Sequence, residues 1–91
     1  AREAHELKFI SGVFESEELE GKTRQLTDAI LKGSPFSHQR IKALVYEGLG
    51  SNVGEHMVNH TRALAECFKS EDHKEGVASF LERRTPNFKG N

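Results

Sequence analysis

Two histidines and one cysteine have a spacing that could hold a metal ion. His56 and His60 lie four residues apart, so a helix would place both imidazoles on one face, and Cys67 follows seven residues after His60. The three residues between the histidines include no glutamate, so the zinc-protease motif is absent. Two histidines at this spacing are more often helix-packing or surface residues. We therefore assign no metal site to this chain.

A thiolate nucleophile is the second chemistry to consider. Cys67 could be paired with a nearby histidine, but Leu64 and Phe68 share the apolar side of its predicted helix, where a free cysteine acts as a small hydrophobic residue. No Ser-His-Asp order stands out, and no Gly-rich phosphate loop is present. The glutamates, Glu66 and Glu75 among them, are interpreted as residues of solvated helix faces rather than acid–base pairs. We assign no catalytic residue.

Aromatic and basic side chains are concentrated near the C-terminus. Within ten residues the chain has Phe80, Arg83, Arg84, Phe88 and Lys89. Arginine binds phosphate with two parallel hydrogen bonds and an aromatic face can lie against a purine, so a nucleotide contact is one interpretation. The other is an ordinary helix end, where basic residues face the negative end of the helix dipole. Composition alone favours the second.

Caps and turn residues divide the chain into helices. Residues 1–7 predict the end of a helix, and the partly alternating apolar run 8–14 predicts a short extended segment or strand. Four helices are then predicted: from Ser16 to a stop at Gly33-Ser34-Pro35, from Pro35 to about Gly48, from a capping box of Asn52 and Glu55, and from Ser70 to a stop before Pro86. In the last helix, Glu71 and Asp72 are predicted to face the dipole, and Val77, Phe80 and Leu81 to form the buried side.

Composition limits the size and the partners of this mainly α chain. Of its 91 residues 35% are hydrophobic and 30% are charged, so the core is thin and we expect a partner surface to stabilise it. The net charge of −1 gives no general attraction to nucleic acid or to membranes, and no apolar run approaches transmembrane length. A single cysteine suits a reducing compartment, and we expect a cytoplasmic location, or the mitochondrial matrix or peroxisome in a eukaryote. The chain has no initiator methionine, and we interpret it as a processed or truncated piece.

The segment from Glu71 to Phe88 resembles the C-terminal signature of enoyl-CoA hydratases. That signature runs acidic residue, Glu-Gly, small apolar residues, Phe, Leu or Val, Glu-Lys-Arg, and Pro-x-Phe. The resemblance extends upstream, since Ala1 to Phe14 is similar to the segment after the family's active-site region. It implies a single region over 1–91 that resembles the C-terminal oligomerisation region of the crotonase fold. Residues 1–14 would lead into helices over 15–70, followed by a helix and tail over 71–91 that contact CoA.

The resemblance also implies what this region does. Family members act on acyl-CoA thioesters, with the thioester as substrate and no further cofactor, and their catalytic groups lie upstream of the part matched here. The implied partners are the rest of the parent enzyme and sister subunits in a trimer or hexamer. Phe80 and Arg83 match the Phe and Lys that contact the CoA of a neighbouring subunit in hydratases. The chain departs from the family at two positions. Arg83 replaces the family's Lys, and the positive charge is kept. Lys8 replaces the Gly of many members.

A non-catalytic helical interaction module is the alternative. Such a module would associate through the apolar faces of the same helices and would not bind CoA. Hydratase and isomerase members share this region, so the reaction subtype and the acyl-chain specificity depend on side chains outside this chain.

Overall fold

The computed structural model describes all 91 residues and consists of five α-helices without a strand. The helices are α1 (Arg2–Glu6), α2 (Ser16–Leu31), α3 (Pro35–Gly48), α4 (Val53–Lys69) and α5 (Glu71–Glu82). The chain divides into two compact units, Ala1–Ile30 and Leu31–Asn91. None of the helices has the length and apolar character needed to cross a bilayer. The predicted mainly α architecture is confirmed.

Side-chain caps begin three of the helices: the sequence predicts those at Asn52 and Ser70 as caps, whereas it predicts Ser34 only as part of the stop before Pro35. The hydroxyl of Ser34 accepts a backbone N–H at the start of α3, and that of Ser70 does the same for α5. Asn52 and Glu55 form the predicted capping box, in which the Glu55 N–H donates to Asn52 Oδ1 over 3.0 Å. These starts are local in sequence, and for that reason the sequence predicts them well.

Of the two alternatives predicted for residues 8–14, an extended segment or a strand, the strand does not form. A turn and bends follow α1 as far as residue 11, with Lys8 at a φ of 62°, and residues 12–14 have no regular secondary structure. The N–H of Phe9 donates to the carbonyl of Ala4 over 2.9 Å, and that of Lys8 to His5 over 3.0 Å. This pair of bonds is the Schellman motif, whose left-handed residue is usually glycine. The left-handed position explains why a glycine at residue 8, as in many members of the resembled family, suits this backbone.

The unit Leu31–Asn91 has an unusually polar interior. In it α3 packs on α4, and α4 packs on α5. Its buried residues are Ala63, Ser70, Asp72 and Ser79, of which only the first is apolar. On the surface, Arg40 joins α3 to α4 through a 2.6 Å contact of its Nε with Glu66 Oε2. Polar contacts therefore hold much of this unit together.

The predicted buried side of α5 is exposed. Phe80 is 82% exposed, Leu81 is 74% exposed and Val77 is 46% exposed. Large apolar side chains of α2, α3 and α4 are exposed as well. Periodicity identifies the apolar side of a helix but not what covers it, and the unit Leu31–Asn91 leaves the apolar side of α5 exposed. Apolar surface of this extent is typical of a surface that packs against another chain or segment.

Replacing Lys8 with glycine is expected to stabilise the unit Ala1–Ile30 by about 1 kcal/mol, because the left-handed conformation costs an L-residue roughly that much and costs glycine little. The measurement is the free energy of unfolding in urea. Gln25→Gly is the control, since Gln25 is an exposed residue within α2 in the same unit and its replacement should destabilise by about 1 kcal/mol. Destabilisation by both substitutions would contradict the role given to the turn.

Candidate functional site

The C-terminal segment 83–91 runs back along α5 and is attached to its first turn by Asp72. Asp72 Oδ1 accepts hydrogen bonds from the N–H groups of Lys89 and Gly90, over 2.8 and 3.0 Å. The N–H of Asp72 in turn donates to the carbonyl of Asn91 over 3.0 Å. Three bonds at one residue therefore fix the end of the chain.

The second carboxylate oxygen of Asp72 fixes the start of α3. Oδ2 accepts from Ser34 Oγ over 2.7 Å and from the Phe36 N–H over 3.4 Å. The side chain is only 2% exposed. Burial by itself raises the pKa of Asp72, but the hydrogen bonds from Ser34 and from the backbone of Gly90, Lys89 and Phe36 outweigh it, so the pKa lies below its ordinary value. Asp72 is therefore an ionised structural group.

Glu75 makes a second attachment one turn further along α5. Its carboxylate meets the guanidinium of Arg84 in a two-bond pair, with Nη1 at 2.5 Å from Oε1 and Nη2 at 2.8 Å from Oε2. Oε1 also accepts from the Asn87 N–H over 2.7 Å. The bond from Arg84, followed by that from Asn87, lowers the pKa of Glu75 to about 2, and the same pairing raises the pKa of Arg84.

Phe80 and Arg83, the two residues predicted to contact CoA, lie together at the end of α5. The N–H of Arg83 donates to the Phe80 carbonyl over 3.3 Å, and that of Arg84 to Ser79 over 3.0 Å, which forms a second Schellman motif. Arg83 occupies its left-handed position, with φ 54° and ψ 40°. Its side chain makes no hydrogen bond or ion pair, and Phe80 is almost fully exposed. An exposed aromatic residue and an exposed arginine without an ion pair thus lie three residues apart at the end of α5.

A groove of about 470 Å³ lies beside Phe80. Its apolar lining comes from α4, α5 and the C-terminal segment, and includes Leu64, Phe68, Val77, Phe80, Leu81 and Phe88. Phe88 approaches within 3.6 Å of the position that a Cβ on Gly76 would occupy, so this ring packs on the bare backbone of α5. The end of α5 therefore combines an apolar surface with one positive charge, which suits an amphipathic anion.

The histidines and the cysteine do not form a metal centre. The structure has no group of three or more His, Cys, Asp or Glu side chains positioned to hold a metal ion. His56 is half-buried, with its ring 3.0 Å from where a Cβ on Gly48 would lie, so it packs on that glycine. Cys67 is half-buried and accepts a weak hydrogen bond from Ser37 Oγ at 3.7 Å. Both residues pack at the contact between α3 and α4.

Glu66 and Glu75, which were interpreted as residues of solvated helix faces, both take part in ion pairs. Glu66 pairs with Arg40, and the Glu75 side chain is 24% exposed and holds both Arg84 and Asn87. Asp72 was likewise expected only to face the helix dipole. Helical periodicity cannot reveal a pairing between residues nine apart across a helix end. The available signal was the resembled signature itself, which contains both the acidic residues and the arginine.

The chain is similar to known proteins over its whole length. A family model described as enoyl-CoA hydratase/isomerase matches residues 1–91. The chain is 31% identical over 88 residues to a crotonyl-CoA hydratase of Syntrophomonas wolfei. The matched region covers 97% of this chain and 34% of that protein. A crystal structure of an enoyl-CoA hydratase from Bacillus anthracis superposes on all of the chain with a TM-score of 0.89, at 25% identity, and 35% of that protein is covered. An enoyl-CoA hydratase from Mycobacterium tuberculosis gives a TM-score of 0.85 at 27% identity over 97% of this chain and 35% of its own. The chain thus spans about a third of the length of these proteins, and its match lies in their C-terminal region.

Asp72→Asn is expected to destabilise the unit Leu31–Asn91 by about 1–3 kcal/mol, because the amide NH₂ must face backbone N–H donors whichever way it is turned. The measurement is urea unfolding, together with hydrogen exchange at Lys89 and Gly90, whose amide protection should fall. Asp28→Asn is the control, since Asp28 is exposed on α2. Unchanged protection at Lys89 and Gly90 would contradict the attachment.

The Glu75 attachment is expected to weaken in acid. The folded chain lowers the pKa of Glu75 from 4.5 to about 2, so its contribution to stability is complete above about pH 4.5 and is lost as the pH falls towards 2. The measurement is the free energy of unfolding of the native protein and of Glu75→Gln between these pH values. The difference between the two should shrink on acidification; a difference that stays constant with pH would count against the ion pair.

Proposed function

This chain belongs to the enoyl-CoA hydratase/isomerase family, whose model matches it from end to end, and we propose that it is the helical C-terminal region of an enzyme acting on acyl-CoA thioesters. Relatives that carry hydratase names are about three times as long as this chain. We assign the region to subunit assembly and CoA contact, and the chemistry of the reaction to the rest of the parent enzyme. In this assignment residues 1–14 are the leading segment before the helices. Residues 15–70 form the helices of subunit assembly, and residues 71–91 form the helix and tail that contact CoA.

The observation that carries the proposal is an exposed aromatic ring, Phe80, followed three residues later by an arginine without an ion pair, Arg83, at the end of α5. The ring of Phe80 is 82% exposed although it is large and apolar. The guanidinium of Arg83 has no partner within the chain, while that of Arg84 next to it is paired with Glu75 and Glu82. Coenzyme A offers phosphate groups to a guanidinium and an adenine to an aromatic face. We assign this pair to the CoA bound by a neighbouring subunit.

The exposed apolar faces support the assembly part of the proposal. Leu19 and Ile30 on α2, Ile41 on α3 and Met57 on α4 are each more than half exposed. A chain of this size gains little from its own core, so surfaces of this kind need a partner. We propose that they pack on the rest of the parent enzyme and on sister subunits of a trimer or hexamer, in the cytoplasm. The CoA thioester is the substrate, and we assign no further cofactor.

The non-catalytic interaction module shares the apolar faces but has no use for a free cation beside Phe80. No observation favours it specifically. The two functions therefore differ at Arg83, which only the CoA-contacting function requires.

Arg83→Glu in the full-length enzyme is expected to raise KM for the acyl-CoA substrate by about tenfold or more, with kcat nearly unchanged, because it removes a charge-assisted contact made equally in the ground and transition states. Steady-state kinetics measure both constants. Arg62→Glu is the matched control, as Arg62 is an exposed arginine of α4 without an ion pair, and its KM should stay near the native value. Arg83→Lys, which restores the residue of the resembled family, should retain most of the affinity.

Equal losses in kcat and kcat/KM for Arg83→Glu would contradict a contact limited to binding. An unchanged KM would contradict the CoA contact altogether and leave the interaction module as the better description.

A further inference from the structure

We propose that Glu75 is a positioning residue for the CoA contact, which acts through Arg84 and the Asn87 N–H to fix the turn from which Arg83 projects. This inference rests on the function proposed above for Arg83. Glu75 itself lies within α5, on the side that faces the C-terminal segment, and its carboxylate is fully engaged there. Its effect on the ligand is therefore indirect.

The backbone of Arg83 needs external support. A residue other than glycine in the left-handed region costs about 1 kcal/mol or more, so this conformation persists only where the surroundings impose it. Its own support consists of two backbone hydrogen bonds at the end of α5, of which that of Arg83 N–H is long, at 3.3 Å. Further contacts must hold the chain on the far side of the turn.

Glu75 provides those contacts. One of its oxygens binds both Arg84, which directly follows the left-handed residue, and the N–H of Asn87 three residues later. The other oxygen completes the two-bond pair with Arg84, whose planar fork fixes orientation as well as distance. The segment 84–87 is thus attached to the Glu75 carboxylate at both of its ends. Because Glu75 belongs to α5, these bonds hold the chain after Arg83 against the helix that precedes it.

The direction of the Arg83 side chain depends on this turn alone. No hydrogen bond or ion pair within the chain orients its guanidinium. A change in φ or ψ at Arg83 would therefore redirect its side chain, and no hydrogen bond or ion pair within the chain would oppose the change. Glu75 also neutralises Arg84, so that Arg83 is the free cation of the two adjacent arginines.

The test is a double-mutant cycle in the full-length enzyme with Glu75→Gln, Arg83→Gln and the combination. Arg83→Gln should raise KM for the acyl-CoA substrate by about tenfold and Glu75→Gln by about three- to fivefold, while kcat changes less than about twofold. If Glu75 acts through Arg83, the double variant should have the KM of Arg83→Gln alone. A merely stabilising role would not produce this dependence on Arg83.

Two variants complete the design. Glu66→Gln breaks the pair with Arg40, which is also a surface pair between two parts of this unit, and should leave KM unchanged. Arg84→Lys keeps the charge and loses the planar fork, so its KM should lie between those of the native enzyme and Glu75→Gln. It carries the test alone if Glu75→Gln fails to assemble, as judged by size-exclusion chromatography.

The outcomes separate this inference from the proposed function. The positioning role is overturned if KM is raised for Arg83→Gln but native for Glu75→Gln and Arg84→Lys. The CoA contact is unaffected by that outcome. Independent, multiplicative effects of Glu75→Gln and Arg83→Gln overturn the positioning role as well. A native KM for Arg83→Gln overturns the CoA contact, and the positioning role with it.

Discussion

The carboxylate of Asp72 joins three parts of the chain that are far apart in sequence. Its oxygens accept from Ser34 and Phe36 at the start of α3 and from Lys89 and Gly90 near the C-terminus, while Asp72 itself lies in the first turn of α5. A buried carboxylate is tolerated only when its lone pairs are satisfied, and here four donors satisfy them. In a unit with one buried apolar residue, this network takes the place that an apolar core has in a larger domain.

This attachment sets the position of the C-terminal segment, which covers the polar side of α5. In an ordinary amphipathic helix the apolar side is the covered one. The buried residues of α5 are Asp72 and Ser79, whereas Phe80 and Leu81 face outwards. The polar side of the helix is occupied by its own chain, so the apolar side is left for another surface. Arg83 follows the last residue of this helix and is exposed.

The sequence predicts those features that depend on neighbouring residues. The caps at Ser34, Asn52 and Ser70 are fixed within a single helical turn, and each begins its helix where expected. The strand that was one alternative for 8–14 does not form. Alternation of apolar residues carries no information on backbone dihedral angles, so it does not reveal the left-handed Lys8. The buried Asp72 is equally invisible, since its partners are 17 to 38 residues away and three of the four are backbone N–H groups of any residue type.

Composition brings out the aromatic and basic residues of the C-terminal stretch, but only the resemblance selects Phe80 and Arg83 as the candidate site. The structure then shows what most of the matched residues do. Most of the matched signature attaches the C-terminal segment to α5: Asp72 and Glu75 bind its backbone, Arg84 pairs with Glu75, and Phe88 packs on Gly76. A signature of this kind specifies a frame more than a ligand contact. Within such a frame the residue at position 83 needs a positive charge and a tolerable left-handed backbone, and Arg meets the first requirement as well as Lys does. The replacement of Lys by Arg at the proposed contact is therefore compatible with the function, because the orientation of the side chain is set by Glu75 and Arg84 rather than by the residue itself.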